Sequence, residues 1–464
     1  MKITFKKVLL FLFLIALGVG IYYGIQAGKI ATAYVAKVTC SCTMVSQRPV
    51  EDVKKTDISK YGYINVEVNK EEKSVTASAL GLIKRKAIFR KGLGCTLING
   101  LSEEEIRKQA DEQSILTPRN VSKEAWPRGD SLAVIKLPEN IDSVRLIAAA
   151  NKAFEYPDQE EVIRSRAVVV VYKGKIVAEK YAEGFTQQTP LLGWSMTKSI
   201  TNALLGILVK EGKIDIKDKA TVKEWQSDER SQITIDQLLR MSSGLEFDEI
   251  YNIVSDATRM LFNSPSAADI AISRPLSHKP EMEWSYSSGT TNILSKIIKD
   301  KIGKSNADYF NFPRKVLFEK IGMQSIVIEP DPSGTFVGSS FSYATARDWA
   351  RFGLLYLQDG TWEGERILPE GWVKYSSTPT SKAPQGQYGA HFWLNAGEDE
   401  QGTNRKWPNL PKDFYFASGF EGQSVVIIPS YEMVIVRLGN TQKRESWDIG
   451  VLIEDVLKSV KKEK

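Results

Sequence analysis

Gly193-Trp194-Ser195-Met196-Thr197-Lys198 sets a serine and a lysine three residues apart at the head of an apolar stripe. The stripe continues through Ile200, Ala203, Leu204, Ile207 and Leu208, the spacing of a buried helix. Ser195 therefore opens that helix, and Lys198 at i+3 shares its face. A serine hydroxyl is a weak nucleophile until a neighbour removes its proton. A lysine one turn away and withdrawn from water can give up its own proton and serve as the base. The helix N-terminus adds backbone N–H groups and the positive end of a dipole where an oxyanion would develop. The same spacing recurs at Ser459-Val460-Lys461-Lys462, in a charged tail, so spacing alone decides nothing.

Three further segments supply context. Leu238-Leu239-Arg240-Met241-Ser242-Ser243-Gly244-Leu245 follows a short helix that begins after Thr234. Trp284-Ser285-Tyr286-Ser287-Ser288-Gly289-Thr290-Thr291-Asn292 sets a tyrosine just ahead of an amphipathic helix. Phe416-Ala417-Ser418-Gly419-Phe420-Glu421-Gly422-Gln423 leads into a C-terminal hairpin. In this order the segments resemble the serine β-lactamase and penicillin-binding-protein family over roughly residues 140 to 460, closest to its class C branch. Phe247-Asp248-Glu249, Tyr251 and Ser255-Asp256 ahead of Met260-Leu261 look most like the 6-aminohexanoate-dimer hydrolase group.

The resemblance implies a catalytic set of Ser195, Lys198 and Tyr286, with the last two sharing the proton transfers. It implies an oxyanion hole made by the backbone N–H groups of Ser195 and Phe420. Ser288, Ser418, Gly419 and His391 are the substrate-side candidates, although a histidine among aromatics is commonly structural. Two departures matter. The third motif reads Ala417-Ser418-Gly419, without the cation that grips a substrate carboxylate, and Ser288 stands where the family's Tyr-x-Asn motif has its amide. Both leave Ser195, Lys198 and Tyr286 in place. They favour an ester- or amide-cleaving enzyme over a β-lactamase or D-Ala carboxypeptidase, the nearest alternative. A non-catalytic sensor on the same fold is the reading from another class, and it has no need of all three groups.

Around the motifs, Ala167 to Tyr172 and Ile176 to Tyr181, joined by Lys173-Gly174-Lys175, predict a β-hairpin. Gln423 to Ile428 and Met433 to Leu438 predict another. Helical periodicity covers Ile141 to Phe154 and Trp447 to Val460, and the region between the hairpins is mostly helical. Strands at both ends with helices between them predict an α+β fold, an antiparallel sheet flanked by helices with an inserted helical region. That domain is expected over residues 116–464, beyond a connector at Thr117 to Asp130.

The N-terminus differs. Lys2, Lys6 and Lys7 precede an unbroken apolar run from Val8 to Ile25, long enough to cross a bilayer. Residues 1–30 are expected to anchor the chain as a single pass in a bacterial-type cytoplasmic membrane, basic end inside and catalytic domain outside. Cleavage at Ala31-Thr32-Ala33 would instead release it. Residues 31–115 are expected to form a small β-rich appendage. Tyr63 to Val68 and Ser74 to Ile83 would be strands, and Glu103 to Gln113 a helix capped by Ser102. Export makes a disulfide of Cys95 with Cys40 or Cys42 plausible.

Composition narrows the chemistry. With two histidines, His278 and His391, and a Cys-x-Cys in place of Cys-x-x-Cys, no metal site is expected, and no cofactor. No serine sits in a G-x-S-x-G elbow, which leaves out the α/β-hydrolase arrangement. The net charge of +6 is spread along the chain, and nothing points to nucleic acid. The expected partner is a small ester, amide or peptide-like substrate.

Overall fold

The first helix does not end where the apolar run ends. In the computed structural model α1 runs from Phe5 to Met44. Described residues are 5–118, 123–132, 137–155, 163–252, 254–303 and 305–461. Lys2 of the basic flank, part of the connector, and the tail lysines Lys462 and Lys464 lie outside them. Side chains from Leu9 to Ile25 are exposed, whereas from Thr32 to Cys42 all but Tyr34 are buried. A helix buried on every side wants small or apolar residues all round, which Thr32-Ala33 and Val35-Ala36 provide. The boundary expected at residue 30 therefore falls inside a continuous helix, and the Ala31-Thr32-Ala33 segment is one of its packed turns.

One side of this helix carries a four-stranded antiparallel meander: β1 (Ile64–Asn69), β2 (Ser74–Ala79), β3 (Ile83–Arg90) and β4 (Gly94–Leu97). The single strand expected from Ser74 to Ile83 breaks at Leu80-Gly81, where both residues take positive φ and turn the chain. Cys95 on β4 bonds to Cys40. Two residues on, Cys42 projects from another side of the helix and stays a buried free thiol. The helix expected from Glu103 stops at Arg107, and Ser102 caps it in a reciprocal capping box with Glu105.

The other side of α1 packs on the main body, against Trp194, Met260, Phe262 and Phe341. Lys37 makes a buried ion pair with Glu329, whose carboxylate also accepts from Ser41 Oγ at 2.7 Å and the Cys95 N–H at 2.6 Å. Asp57, in the turn after a short helix at Val50–Lys55, is clamped between Arg48 and Arg166 at 2.7 and 2.8 Å. The meander, the second half of α1 and the body thus share one interior, so residues 31–115 do not form a separate lobe.

Within the body, α2 (Ser143–Lys152) precedes the hairpin of β5 (Ser165–Tyr172) and β6 (Lys175–Tyr181). Then come α3 (Thr197–Lys210), α4 (Ser288–Ile302), α5 (Ala346–Leu357), β7 (Trp393–Leu394), β8 (Tyr415–Gly419), β9 (Gln423–Ile428), β10 (Met433–Gly439) and α6 (Ile449–Leu457). The strands form one antiparallel sheet in the order 7-8-9-10-5-6, with the two expected hairpins joined through β10 and β5. Val168 and Val170 face the layer of α2 and α6, while Val169 and Val171 face the layer containing α3 and α5. Helices on both faces explain why β5 reads as an unbroken apolar run rather than an alternation. Each buried valine contributes about 2 kcal/mol of transfer free energy.

Candidate active site

Ser195 sits in a single 3-10 turn, Trp194–Met196, that feeds α3. Two close approaches fix the turn, one against the sheet and one against α5. A Cβ at Gly419, the last residue of β8, would stand 2.2 Å from the Gly193 carbonyl oxygen, and one at Gly193 would stand 2.5 Å from the Trp349 ring. Glycine at 419 lets the two backbones close, and glycine at 193 leaves room for the Trp349 ring. Trp194 takes φ +48°, a left-handed conformation that a bulky residue adopts at a cost. Its ring is wedged between Phe341 and Phe420 and stacks on Tyr34 of α1 at 6.4 Å, and these contacts hold the strained residue in place.

Lys198, in the first turn of α3, is buried and spends its three N–H groups on nearby oxygens. It reaches Ser195 Oγ at 3.2 Å, Ser288 Oγ at 2.9 Å and the Ser339 carbonyl at 3.1 Å. Ser195 itself is half-buried. The Tyr286 ring lies beside the amine, its centroid 4.8 Å away. Among the described residues no hydrogen bond joins the Tyr286 hydroxyl to Ser195 or Lys198; its ring is held by Trp393 and Tyr388.

Ser288, proposed from the sequence for the substrate side, is fully buried beneath the amine at the start of α4. Its Oγ accepts from Lys198 and donates to Glu249 Oε1 at 2.5 Å, while its N–H donates to Glu249 Oε2 at 2.7 Å. The Tyr251 hydroxyl donates to Glu249 at 2.5 Å and lies 3.1 Å from Ser288 Oγ. A lysine, a serine and a carboxylate thus stand in a hydrogen-bonded row behind Ser195. Glu249 and Tyr251 had no assigned role in the sequence. Their only signal was their place in the Phe247–Tyr251 segment.

His391 is placed away from the cleft. It is buried behind α3, with Nδ1 2.8 Å from the Lys198 carbonyl and Nε2 3.2 Å from Thr291 Oγ1. Burial first, and the Lys198 charge second, push its pKa down to about 3, so it is a neutral structural bridge. Ser418 and Gly419 are half-buried at the end of β8, beside the turn of Ser195. Phe420 begins a short 3-10 segment and Ser195 lies in another. The leading N–H groups of such turns have no acceptor inside the turn, and among the described residues no backbone carbonyl takes either one. Among the described residues no group of three or more His, Cys, Asp or Glu could hold a metal ion.

Behind this backbone the Glu421 carboxylate accepts from Trp194 Nε1 at 3.3 Å. Burial first, and the charge of Asp57 second, raise its pKa to about 7 against an opposing pull from Arg166. A carboxyl with a raised folded pKa holds its proton more tightly in the folded state. The stability it adds is full below its ordinary pKa and is lost as pH rises toward about 7. Glu421→Gln removes that dependence while keeping an acceptor for Trp194. We expect the melting temperature of the wild type to fall more steeply than the variant's between about pH 5 and 8. Parallel curves from thermal melts across that range would contradict the assignment.

A family model described as beta-lactamase matches residues 150–451. A 6-aminohexanoate-dimer hydrolase of Paenarthrobacter ureafaciens is 25% identical over 323 residues, covering 64% of this chain and 78% of its own. Among solved structures, a Bacillus anthracis protein provisionally named a 6-aminohexanoate-dimer hydrolase superposes with a TM-score of 0.55 at 18% identity, over 90% of this chain and 96% of that one. A penicillin-binding protein homologue of Caulobacter crescentus gives 0.50 at 15% identity, over 70% and 98%. At these identities the two structures speak to the fold.

Proposed function

The chain belongs to the β-lactamase family, and on that footing we propose that it cleaves an ester or amide through an acyl-serine intermediate, outside the cytoplasmic membrane. The observation that carries the reading is the Lys198 amine, 3.2 Å from the hydroxyl of the half-buried Ser195. In this mechanism Ser195 Oγ attacks the substrate carbonyl and passes its proton to Lys198. The N–H groups of Ser195 and Phe420 hold the developing oxyanion. The proton then leaves with the departing amine or alcohol by way of the Tyr286 phenol, whose ring already lies against the amine. Catalytic contacts that are long in a free enzyme commonly tighten once substrate is bound. Water attacks the acyl-serine in the second half, the proton transfers reverse, and a carboxylic acid is released. The row from Lys198 through Ser288 to Glu249 ties the amine by hydrogen bonds to a carboxylate and fixes it beside the serine hydroxyl.

The cleft rim supports a linear substrate with methylene segments. Tyr251 and Phe420 stack at 6.4 Å across its edge, and Tyr286 and Trp393 line another part of it. The motif Ala417-Ser418-Gly419 offers no cation for a substrate carboxylate, which weighs against penicillin-like ligands. For localisation the reading is an uncleaved anchor with its basic end in the cytoplasm. It is supported by the apolar first half of α1 and by a disulfide, which needs an oxidising compartment.

A fluorophosphonate probe tests the chemistry. Wild type is expected to take one covalent label, read by intact mass, and Ser195→Ala to take none. No labelling of the wild type, or equal labelling of both, would end the hydrolase reading.

A further inference from the structure

The β2–β3 turn is built from the wrong residues for its shape and place. Leu80 and Gly81 both have positive φ, and the Leu82 N–H closes the turn on the Ala79 carbonyl at 3.1 Å. Such turns favour Asn-Gly, because the first position must be left-handed. Here that position holds a leucine that is 89% exposed, followed by Leu82 at 85%. Two leucines held in water, one in a backbone conformation it disfavours, call for a partner.

The geometry says where that partner lies. At its start β3 touches α1 at Gly28, where a Cβ would stand 2.6 Å from Ile83 Cδ1. At its far end Phe89 pairs with Cys95, which is bonded to Cys40. Ile83 to Phe89 is about 20 Å of strand, and Gly28 to Cys40 is about 18 Å of helix. Strand and helix therefore run side by side in the same direction. The turn before Ile83 overshoots Gly28 toward the N-terminus by about 7 Å, which brings it level with Tyr22 and Tyr23. Those tyrosines stand near the end of the exposed apolar stretch, where aromatic side chains mark a membrane–water boundary. Tyr63, 66% exposed, precedes Ile64, which pairs with Ala79, so it joins the same end of the sheet. Exposed Lys84 and half-buried Lys29 sit just behind, at the height of lipid phosphates. The opposite end of the sheet reverses the pattern: its β1–β2 turn is Lys70-Glu71-Glu72-Lys73, all exposed.

We infer that Leu80, Leu82 and Tyr63 form a second membrane contact, seated in the boundary between headgroups and acyl chains of the outer leaflet beside the anchor. The inference rests on the anchored reading of α1. Its occupant is the bilayer that the helix already crosses, continuous with the exposed face of α1.

The test uses the full chain in phosphatidylcholine vesicles with or without brominated acyl chains, which quench a nearby fluorophore. An environment-sensitive maleimide dye is placed in turn at Leu82→Cys, Tyr23→Cys and Lys70→Cys, all exposed positions. The native thiol Cys42 is buried, and the other two cysteines are bonded to each other. The expected result is quenching at position 82 comparable with that at position 23, and none at position 70. Quenching at 23 without quenching at 82 overturns the second contact and leaves the anchor standing. No quenching at either position overturns both readings. A dye at 82 that is shielded from water yet untouched by brominated chains assigns the turn to a contact between copies of the chain, and also overturns the proposal.

Discussion

Lys198→Met is expected to lower kcat/KM toward an activated ester by about a thousandfold or more, the scale on which losing the base of an activated nucleophile is felt. The lysine is buried, donates to three oxygens and has one of them on the nucleophile. Methionine keeps its length and packing while removing the proton acceptor. Ser195→Ala should cost about as much, and the double variant little more, because groups that act as one unit do not add. The folded state supplies the control. Methionine leaves the buried Ser288 hydroxyl and Ser339 carbonyl without their donor, so the melting temperature should fall, and activities are compared at a temperature where both proteins are folded. Tyr286→Phe belongs in the same series: a large loss would place the phenol in the proton path, and wild-type kinetics would remove it. Retention of activity in Lys198→Met would mean that the 3.2 Å contact is structural.

The second large effect concerns the Cys40–Cys95 bond. It closes a loop of sequence separation 55, and chain entropy alone assigns such a cross-link about 4 kcal/mol. Cys40→Ala/Cys95→Ala should lower the free energy of unfolding by about that amount in denaturant titrations carried out in detergent micelles. The bond does more than restrict the unfolded chain, since it fixes β4 to the helix that packs under Trp194. A loss well below 1 kcal/mol would mean that the buried Lys37–Glu329 pair and the surrounding apolar contacts hold the helix in place without it.

Much of this arrangement could be read in the residues, and the exceptions have physical causes. The serine and lysine were legible because a helix turns i+3 spacing into proximity. The central hairpins were legible because long runs of valine and isoleucine bounded by turn residues leave few alternatives. The second half of α1 was not. Its small Ala, Thr, Val and Cys residues suit a cleavage site or a strand equally well, and only contact on every side selects the helix. Ser288 looked like a lost amide because its Asn counterpart faces substrate. Its actual partner, Glu249, is 39 residues away in sequence. The left-handed Trp194 left no trace, since nothing in a tryptophan announces positive φ.

If α1 is the anchor we propose, a helix that leaves the bilayer and enters the protein without a hinge has a mechanical meaning. Tyr34, which stacks on the residue before the nucleophile, stands about 16 Å along the helix axis from Tyr23. On the anchored reading the protein is a post rather than a tethered float: its Ser195 site patrols one thin shell above the lipid, at a working height set by helical rise. Molecules that linger in that shell are met again and again, and those deeper in the compartment only when they drift in.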